Sequence, residues 1–266
     1  KAPTFRHQRY EAYKAGRKGM PEELAEQLPV IKELLGLMGC AVVERDGYEA
    51  DDILGTLSAA AVQQGGDCFI ATGDRDSLQL VDDHVTVLLA ATKMGRPETT
   101  VFDPAAIREK YGLSPAQLID LKALMGDASD NIPGVPGVGE KTALALLHTF
   151  HTLDELYAHI DSPEIRDGVR SKLAAGKDSA YLSRELGTIC RQAPVETDMD
   201  AYVIRPAKRE ELARLMARLE FFKLMDKLEL NAPVPADGAA EEEAPTPSPP
   251  ALLEGEAALA AVKKQM

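Results

Sequence analysis

The stretch Cys68-Phe69-Ile70-Ala71-Thr72-Gly73-Asp74-Arg75-Asp76 decides how this chain folds. Four apolar residues run without polar alternation, which suits a strand buried on both faces. Asp74 and Asp76 fall just past its carboxyl end, where open α/β sheets bind their ligands. Working outward, Pro21 to Leu37 predicts a helix, with Pro21 in its first turn and Leu24, Leu28, Ile31, Leu35 and Met38 at helical spacing. Cys40-Ala41-Val42-Val43 reads as a short strand, Ala50 to Gln64 as a helix, and Val85 to Leu89 as a third strand. Helix and strand alternate, so the expected class is α/β, with a mostly parallel sheet and flanking helices. From Asp103 onward the pattern is helical only: Pro115 to Met125, a helix opening at Glu140, then about 153–160, 163–175, 178–190 and 207–228. Residues 231–253 carry Pro at 233, 235, 245, 247, 249 and 250 among Ala and Glu, the composition of a disordered or extended linker. Residues 254–266 read as a short helical stub, which implies a parent chain that continues.

Seven carboxylates stand in three short motifs: Gly47-Tyr48-Glu49-Ala50-Asp51-Asp52, Thr72-Gly73-Asp74-Arg75-Asp76 and Met125-Gly126-Asp127-Ala128-Ser129-Asp130-Asn131. Any one could merely cap a helix, where acids satisfy free N–H groups and suit the positive end of the dipole. Three such motifs in one domain point further. If they converge they repel each other, at a cost of roughly 4 kcal/mol for two charges ~4 Å apart at an effective dielectric near 20. A divalent cation removes that cost, and an all-oxygen set suits Mg²⁺ or Mn²⁺. Several acids around two hard cations is an arrangement for phosphodiester hydrolysis.

The formal net charge of −13 argues against a nucleic-acid partner until its distribution is read. Lys1, Arg6, Arg9, Lys14, Arg17 and Lys18 oppose one acid, Glu11, in the first twenty residues, whereas Asp237, Glu241, Glu242, Glu243, Glu254 and Glu256 crowd the other end. The average therefore hides a basic arm and an acidic tail. Cys40, Cys68 and Cys190 lack CxxC spacing and read as reduced thiols of a cytosolic protein. No apolar run approaches the ~18 residues of a membrane span, and no signal peptide is visible. The five histidines share no ligand spacing.

Two further features could hold a polynucleotide. In Gly134-Val135-Pro136-Gly137-Val138-Gly139-Glu140-Lys141-Thr142-Ala143 the glycines let backbone pack closely, and the helix start offers N–H groups to an anion. This looks like a helix-hairpin-helix motif gripping a phosphate without reading sequence; a tight turn between packed helices is the alternative. A Walker A loop is excluded by the absence of Gly-Lys-Ser/Thr spacing. In the arm, Arg6, Lys14 and Arg17 interleave with Tyr10 and Tyr13, so cations could meet phosphates while rings stack on bases. A solvated basic helix with half-buried tyrosines is the plainer reading.

The run Thr4-Phe5-Arg6-His7, Tyr10, Tyr13-Lys14-Ala15-Gly16-Arg17, then the three acidic motifs and Ile132 to Ala143, resembles in this order the 5′ nuclease domain of bacterial DNA polymerase I, over about residues 1–230. The resemblance implies a PIN-like core with a basic arch at residues 1–102, and a helical DNA-binding subdomain of helix-hairpin-helix type at 103–230. The linker at 231–253 and the start of a proofreading-like domain at 254–266 would follow. It implies a Mg²⁺- or Mn²⁺-dependent 5′-3′ exonuclease and flap endonuclease that removes primers and displaced strands in the bacterial cytoplasm. DNA flaps, nicks and RNA-primed ends would be its partners, with the rest of the polymerase in cis, no membrane and a monomeric state. By the same resemblance Glu49, Asp51 and Asp52 serve one metal, Asp76, Asp127 and Asp130 the other, and Asp74 lies near both. Lys14 and Arg17 would contact the scissile phosphate and Tyr13 would stack on a base. Gly137, Gly139, Glu140, Lys141 and Thr142 would hold the duplex, with K⁺ as a further occupant of that loop.

The family pattern also begins with a strand and two metal-binding acids before the Lys1 segment. Their absence leads to the expectation of a catalytically crippled fragment, incomplete at its first strands. A non-catalytic, structure-selective DNA-binding module is accordingly the competing reading, and a different Mg²⁺ phosphoesterase the third.

Overall fold

The computed structural model describes residues 3–230. The linker and stub expected at 231–253 and 254–266 lie outside the described residues. The described chain divides into two compact units, one made of the residues up to 19 with 44–197, the other of 20–43 with those from 198 onward.

The first unit holds α1 (Phe5–Arg9), α3 (Ala50–Gln63), β1 (Cys68–Thr72), β2 (Val85–Lys93), β3 (Arg96–Phe102), α4 (Pro104–Tyr111), α5 (Gln117–Met125), α6 (Glu140–Phe150), α7 (Leu153–Ala158), α8 (Asp167–Ala175) and α9 (Lys177–Gly187). The second holds α2 (Glu22–Leu37), α10 (Arg209–Arg218) and α11 (Phe222–Lys227).

The sheet runs β1-β2-β3, with β1 parallel and β3 antiparallel to β2. It is therefore small and mixed rather than mostly parallel. β3 was not legible because Arg96-Pro97-Glu98-Thr99-Thr100 is polar and carries a proline. As an edge strand it tolerates both. The hairpin closes through Met94 and Gly95, both at positive φ, the handedness a two-residue turn needs. The strand expected at Cys40–Val43 does not form. This segment belongs to the second unit, and among the described residues it has no strand to pair with. An apolar run becomes a strand only when a neighbour accepts its backbone hydrogen bonds.

Two cores fill the first unit. One lies under the sheet, from Ile70, Leu78, Leu80, Val85, Val87, Phe102, Ile107 and Ile189. The other joins the helices through Leu113, Leu124, Val138, Leu147, Leu153, Leu156, Ile165 and Leu173. α3 ends in a Schellman turn at Gly65, with Gly66 N–H bonding Ala61 O and Gly65 N–H bonding Val62 O. α4, absent from the sequence reading, has ordinary signals: Asp103 accepts from Ala106 N–H at 2.7 Å, Pro104 opens the first turn and Gly112 closes it at φ +66°.

In the second unit the helix expected at 207–228 breaks into α10 and α11. Glu220 adopts φ +59°, Glu220 N–H bonds Ala217 O and Phe221 N–H bonds Met216 O. This is a Schellman turn with Glu where glycine is usual, so no glycine marks it in the sequence. The reversal brings Met225 onto Leu212, Leu215 and Met216, and Leu37 of α2 joins them. That burial compensates the strained φ.

Candidate metal-dependent nuclease site

The site lies in the first unit at the carboxyl end of β1. There the chain turns from Thr72 through Gly73 into a 3₁₀ turn at Arg75–Leu80. Asp74 caps that turn by accepting from Asp76 N–H at 3.0 Å, which fixes the two carboxylates side by side. α3 contributes its start: Glu49 is the N-cap, and Asp51 and Asp52 lie in the first turn. The loop after α5 contributes Asp127 and Asp130, held by a single antiparallel bridge between Asp127 and Ile132. Gly126 and Gly134 make that loop possible. A Cβ on Gly134, which sits at φ +63°, would lie 2.3 Å from Gly126 N.

Asp76, Asp127 and Asp130 each offer a carboxylate oxygen within 4.8 Å of the others, a set able to chelate a divalent cation. The donors are all oxygen, as Mg²⁺ or Mn²⁺ prefers. Asp51 faces the same region. Burial pushes its carboxyl up, and the Asp74 charge adds to this, while a hydrogen bond from Ser77 Oγ at 3.2 Å opposes it. Burial also pushes Asp76 up against the opposing pull of Lys122. At Asp127 burial again favours the neutral acid, but Lys122 and Ser129 together outweigh it and hold the carboxyl down at about 2. Such mutually opposed carboxylates are a setting that a hard cation stabilises.

Basic side chains stand among these acids. Lys122 Nζ of α5 donates to Asp76 at 2.5 Å and to Asp127 at 2.9 Å. Lys14 Nζ donates to Glu49 at 2.6 Å and reaches Asp130 at 3.5 Å, and the Arg17 guanidinium pairs with Asp130. Lys14 N–H also bonds Asp130 O at 2.8 Å, and Asn131 Nδ2 bonds Ala12 O at 2.7 Å, so the arm is docked on the acidic loop through backbone as well. Ammonium and guanidinium groups thus already occupy positions where positive charge is favoured, which supports the fit of the acids to cations.

Asp52, Arg6, Tyr13 and Tyr10 are buried or partly buried. Asp52 is fully buried and bound bidentately by Arg6, at 2.8 and 2.7 Å, and it also accepts from the N–H groups of Glu49 and Cys190. Burial opposes its charge, but these bonds prevail and hold its carboxyl below the usual range. Asp52 and Arg6 are both buried, and Arg6 also donates to Leu186 O and Thr188 O. Tyr13 is buried too. Its hydroxyl donates to Glu49 at 3.2 Å and Asp130 at 3.5 Å, and its ring meets His7 edge-on, so it is not free to stack on a base. Burial, reinforced by both carboxylates, raises its phenol far above the ordinary value. Tyr10 is partly buried against the same small cluster with Ile132 and Leu186.

Gly137, Gly139, Glu140 and Lys141 are exposed and Thr142 is partly so, all at the start of α6. Gly139 is its N-cap and supplies no side-chain bond to the first turn. A cleft of about 520 Å³ joins this end of α6 to the acids, lined by Asp76, Lys122, Asp127 and Glu140 among others. A larger hollow, of about 890 Å³, is lined by Asp120, Asp178 and Glu185 with Arg9 and Arg184, and its acids are not among those gathered for a cation, since Arg9 pairs with Glu185 and Arg184 lies near Asp120.

Lys122, Ser77 and Ser129 were missed from the sequence. Lys122 had a signal: a lone cation between Leu121 and Ala123 on a helix otherwise buried there, five residues before Asp127. A buried lysine requires an acid partner.

The chain is similar to known proteins. Residues 1–112 match the 5′-3′ exonuclease N-terminal resolvase-like domain, and residues 113–210 the 5′-3′ exonuclease C-terminal SAM fold. DNA polymerase I of Bacillus caldotenax is 45% identical over 85% of this chain and 25% of its own length. The thermostable DNA polymerase I of Thermus thermophilus is 42% identical over 94% of this chain and 28% of its own. This chain thus spans about a quarter of the length of those relatives. Among solved structures, the bacteriophage T5 flap endonuclease in complex with DNA and metal ions superposes with a TM-score of 0.60 at 20% identity, covering 86% of this chain and 80% of that one. At that identity the likeness speaks for the fold. The chain belongs to the 5′-3′ exonuclease family, as a domain homologous to part of bacterial DNA polymerase I. No helix among the described residues is long and apolar enough to cross a membrane.

Proposed function

We propose that this chain is the 5′ nuclease of a DNA polymerase I and hydrolyses phosphodiesters at 5′ flaps, nicks and RNA-primed ends in the bacterial cytoplasm. The observation that carries this is the convergence of Asp76, Asp127 and Asp130, with Asp51, Asp74 and Glu49 nearby, at the carboxyl end of β1. In this reading Glu49, Asp51 and Asp74 hold one divalent cation and Asp76, Asp127 and Asp130 the other. When bound, such cations activate water and stabilise the leaving oxygen. Asp52 and Arg6 form the buried strut beneath the site. Tyr13 orients Glu49 and Asp130. Lys14 and Arg17, already paired with these acids, exchange those ion pairs for contact with the scissile phosphate when substrate enters, the cations taking their place on the carboxylates.

The finer architecture belongs to the same proposal. Residues 1–102 form a PIN-like core with an arch, and 103–230 a helical subdomain. Its helix-hairpin-helix loop, Gly137 to Thr142, grips the duplex backbone, with K⁺ as a further occupant. The cleft from Asp76 to Glu140 supports this path, as does the DNA and metal content of the T5 complex. The rest of the polymerase would act in cis.

The test is Mg²⁺-dependent cleavage of a 5′-flap DNA by the chain and by a variant carrying Asp127→Ala and Asp130→Ala. Cleavage lost in the variant is expected. Flap binding without any cleavage by the parent chain would instead favour a structure-selective binding module.

A further inference from the structure

Lys122 is the one basic group on α5 that enters the acid cluster without belonging to the arm. Its side chain is 16% exposed and its ammonium bridges Asp76 and Asp127. The stem lies along Gly187 of α9, where a Cβ would come within 3.0 Å of Lys122 Cδ. The missing side chain there gives the lysine its channel. Asp127 is further tied by Ser129, whose N–H and hydroxyl donate to its other oxygen at 2.8 and 2.6 Å. On Asp127 the oxygen that Lys122 occupies, Oδ2, is therefore the one left for a cation, and on Asp76 Lys122 occupies Oδ1.

We propose that Lys122 is a positioning residue that serves as the internal counter-ion of the Asp76–Asp127 metal site and competes with the divalent cation for the same carboxylate oxygens. The inference rests on the metal-nuclease reading of these acids. A site of several carboxylates gathered without cations would spread or lose its fold through self-repulsion. Lys122 holds Asp76 and Asp127 together in the empty state. It must then surrender two charge-assisted bonds for a cation to enter. The consequence is an unusual sign. Removing a merely structural lysine would loosen the site and weaken metal binding. Removing a competitor destabilises the metal-free protein and tightens metal binding.

The experiment measures Mn²⁺ affinity by the paramagnetic resonance of free Mn²⁺, and thermal unfolding with and without Mn²⁺. Four proteins are compared: the unmodified chain, Lys122→Met, Lys122→Arg and Asp127→Asn. Methionine keeps a stem to fill the channel by Gly187. Lys122→Met is expected to bind Mn²⁺ roughly tenfold to a hundredfold more tightly, from the worth of a hydrogen bond to a charged group. Its metal-free form should melt earlier, and its stabilisation by Mn²⁺ should be larger. Lys122→Arg, which retains the charge, should stay near the parent affinity. Unchanged or weaker binding in Lys122→Met, with binding lost in Asp127→Asn, would overturn the competition while leaving the site intact. Undiminished binding in Asp127→Asn would overturn both the inference and the assignment of the acids.

Discussion

Replacing Arg6 by methionine tests whether this residue belongs to the interior or to the nucleic-acid surface. Arg6 is 3% exposed and Asp52 0%, and the guanidinium makes four hydrogen bonds, two to Asp52 and one each to Leu186 O and Thr188 O. Methionine fills much of the volume but strands the Asp52 carboxylate with only the N–H groups of Glu49 and Cys190. Breaking one side of a buried ion pair costs about 3–5 kcal/mol. That is a large part of the 5–15 kcal/mol typical of a whole domain. Adding Asp52→Asn should recover part of the loss, because the stranded charge is gone. The pH dependence has a defined sign. The Asp52 carboxyl is held below its ordinary value, so its contribution is present above the ordinary carboxylate range and is lost as pH falls through the depressed folded value. The gap between parent and Arg6→Met should therefore narrow in acid. Urea unfolding followed by circular dichroism at neutral and acid pH reads both effects. A loss below about 1 kcal/mol at neutral pH, accompanied by weakened flap binding, would refute the buried-strut assignment and return Arg6 to the DNA.

Other consequences can be checked separately. Gly134→Ala places a Cβ 2.3 Å from Gly126 N at φ +63°, so it should cost about 3 kcal/mol or more and lower the melting temperature, with the Asp127 loop displaced. Divalent-cation affinity should fall as pH drops toward the raised carboxyl range of Asp51 and Asp76, since each proton must leave before the oxygen can ligate. Calorimetry in buffers of different ionisation enthalpy should then show proton release on Mn²⁺ binding, and its absence would count against these ligands. At Gly139, with φ −99°, an added Cβ meets nothing within 4 Å, so Gly139→Ala should cost no more than about 1 kcal/mol of stability. Fluorescence anisotropy should nevertheless report weaker binding of a flap duplex, and unchanged affinity would remove this loop from the proposed grip.

Local chemistry was legible in the residues themselves. The apolar run at Cys68–Ala71, the acids after it, the periodicity of α2 and the glycine loop before Glu140 all depend on neighbours a few positions away. Periodicity and capping are properties of adjacent residues, so the elements that carry the candidate ligands could be located. What required the tertiary structure was everything set by distant partners. Cys40–Val43 has strand composition but, among the described residues, no strand paired with it, and β3 has a poor composition but an edge that accepts it. Seven acids look alike in sequence. Folding buries Asp52 against Arg6, forty-six positions away, and leaves Asp74 exposed at the end of β1. Tyr13 and Lys122 acquire their roles in the same way, through carboxylates that only the folded chain brings within hydrogen-bonding reach. Charge and hydrogen-bond energies depend on separation and burial, and neither quantity exists until the chain is folded.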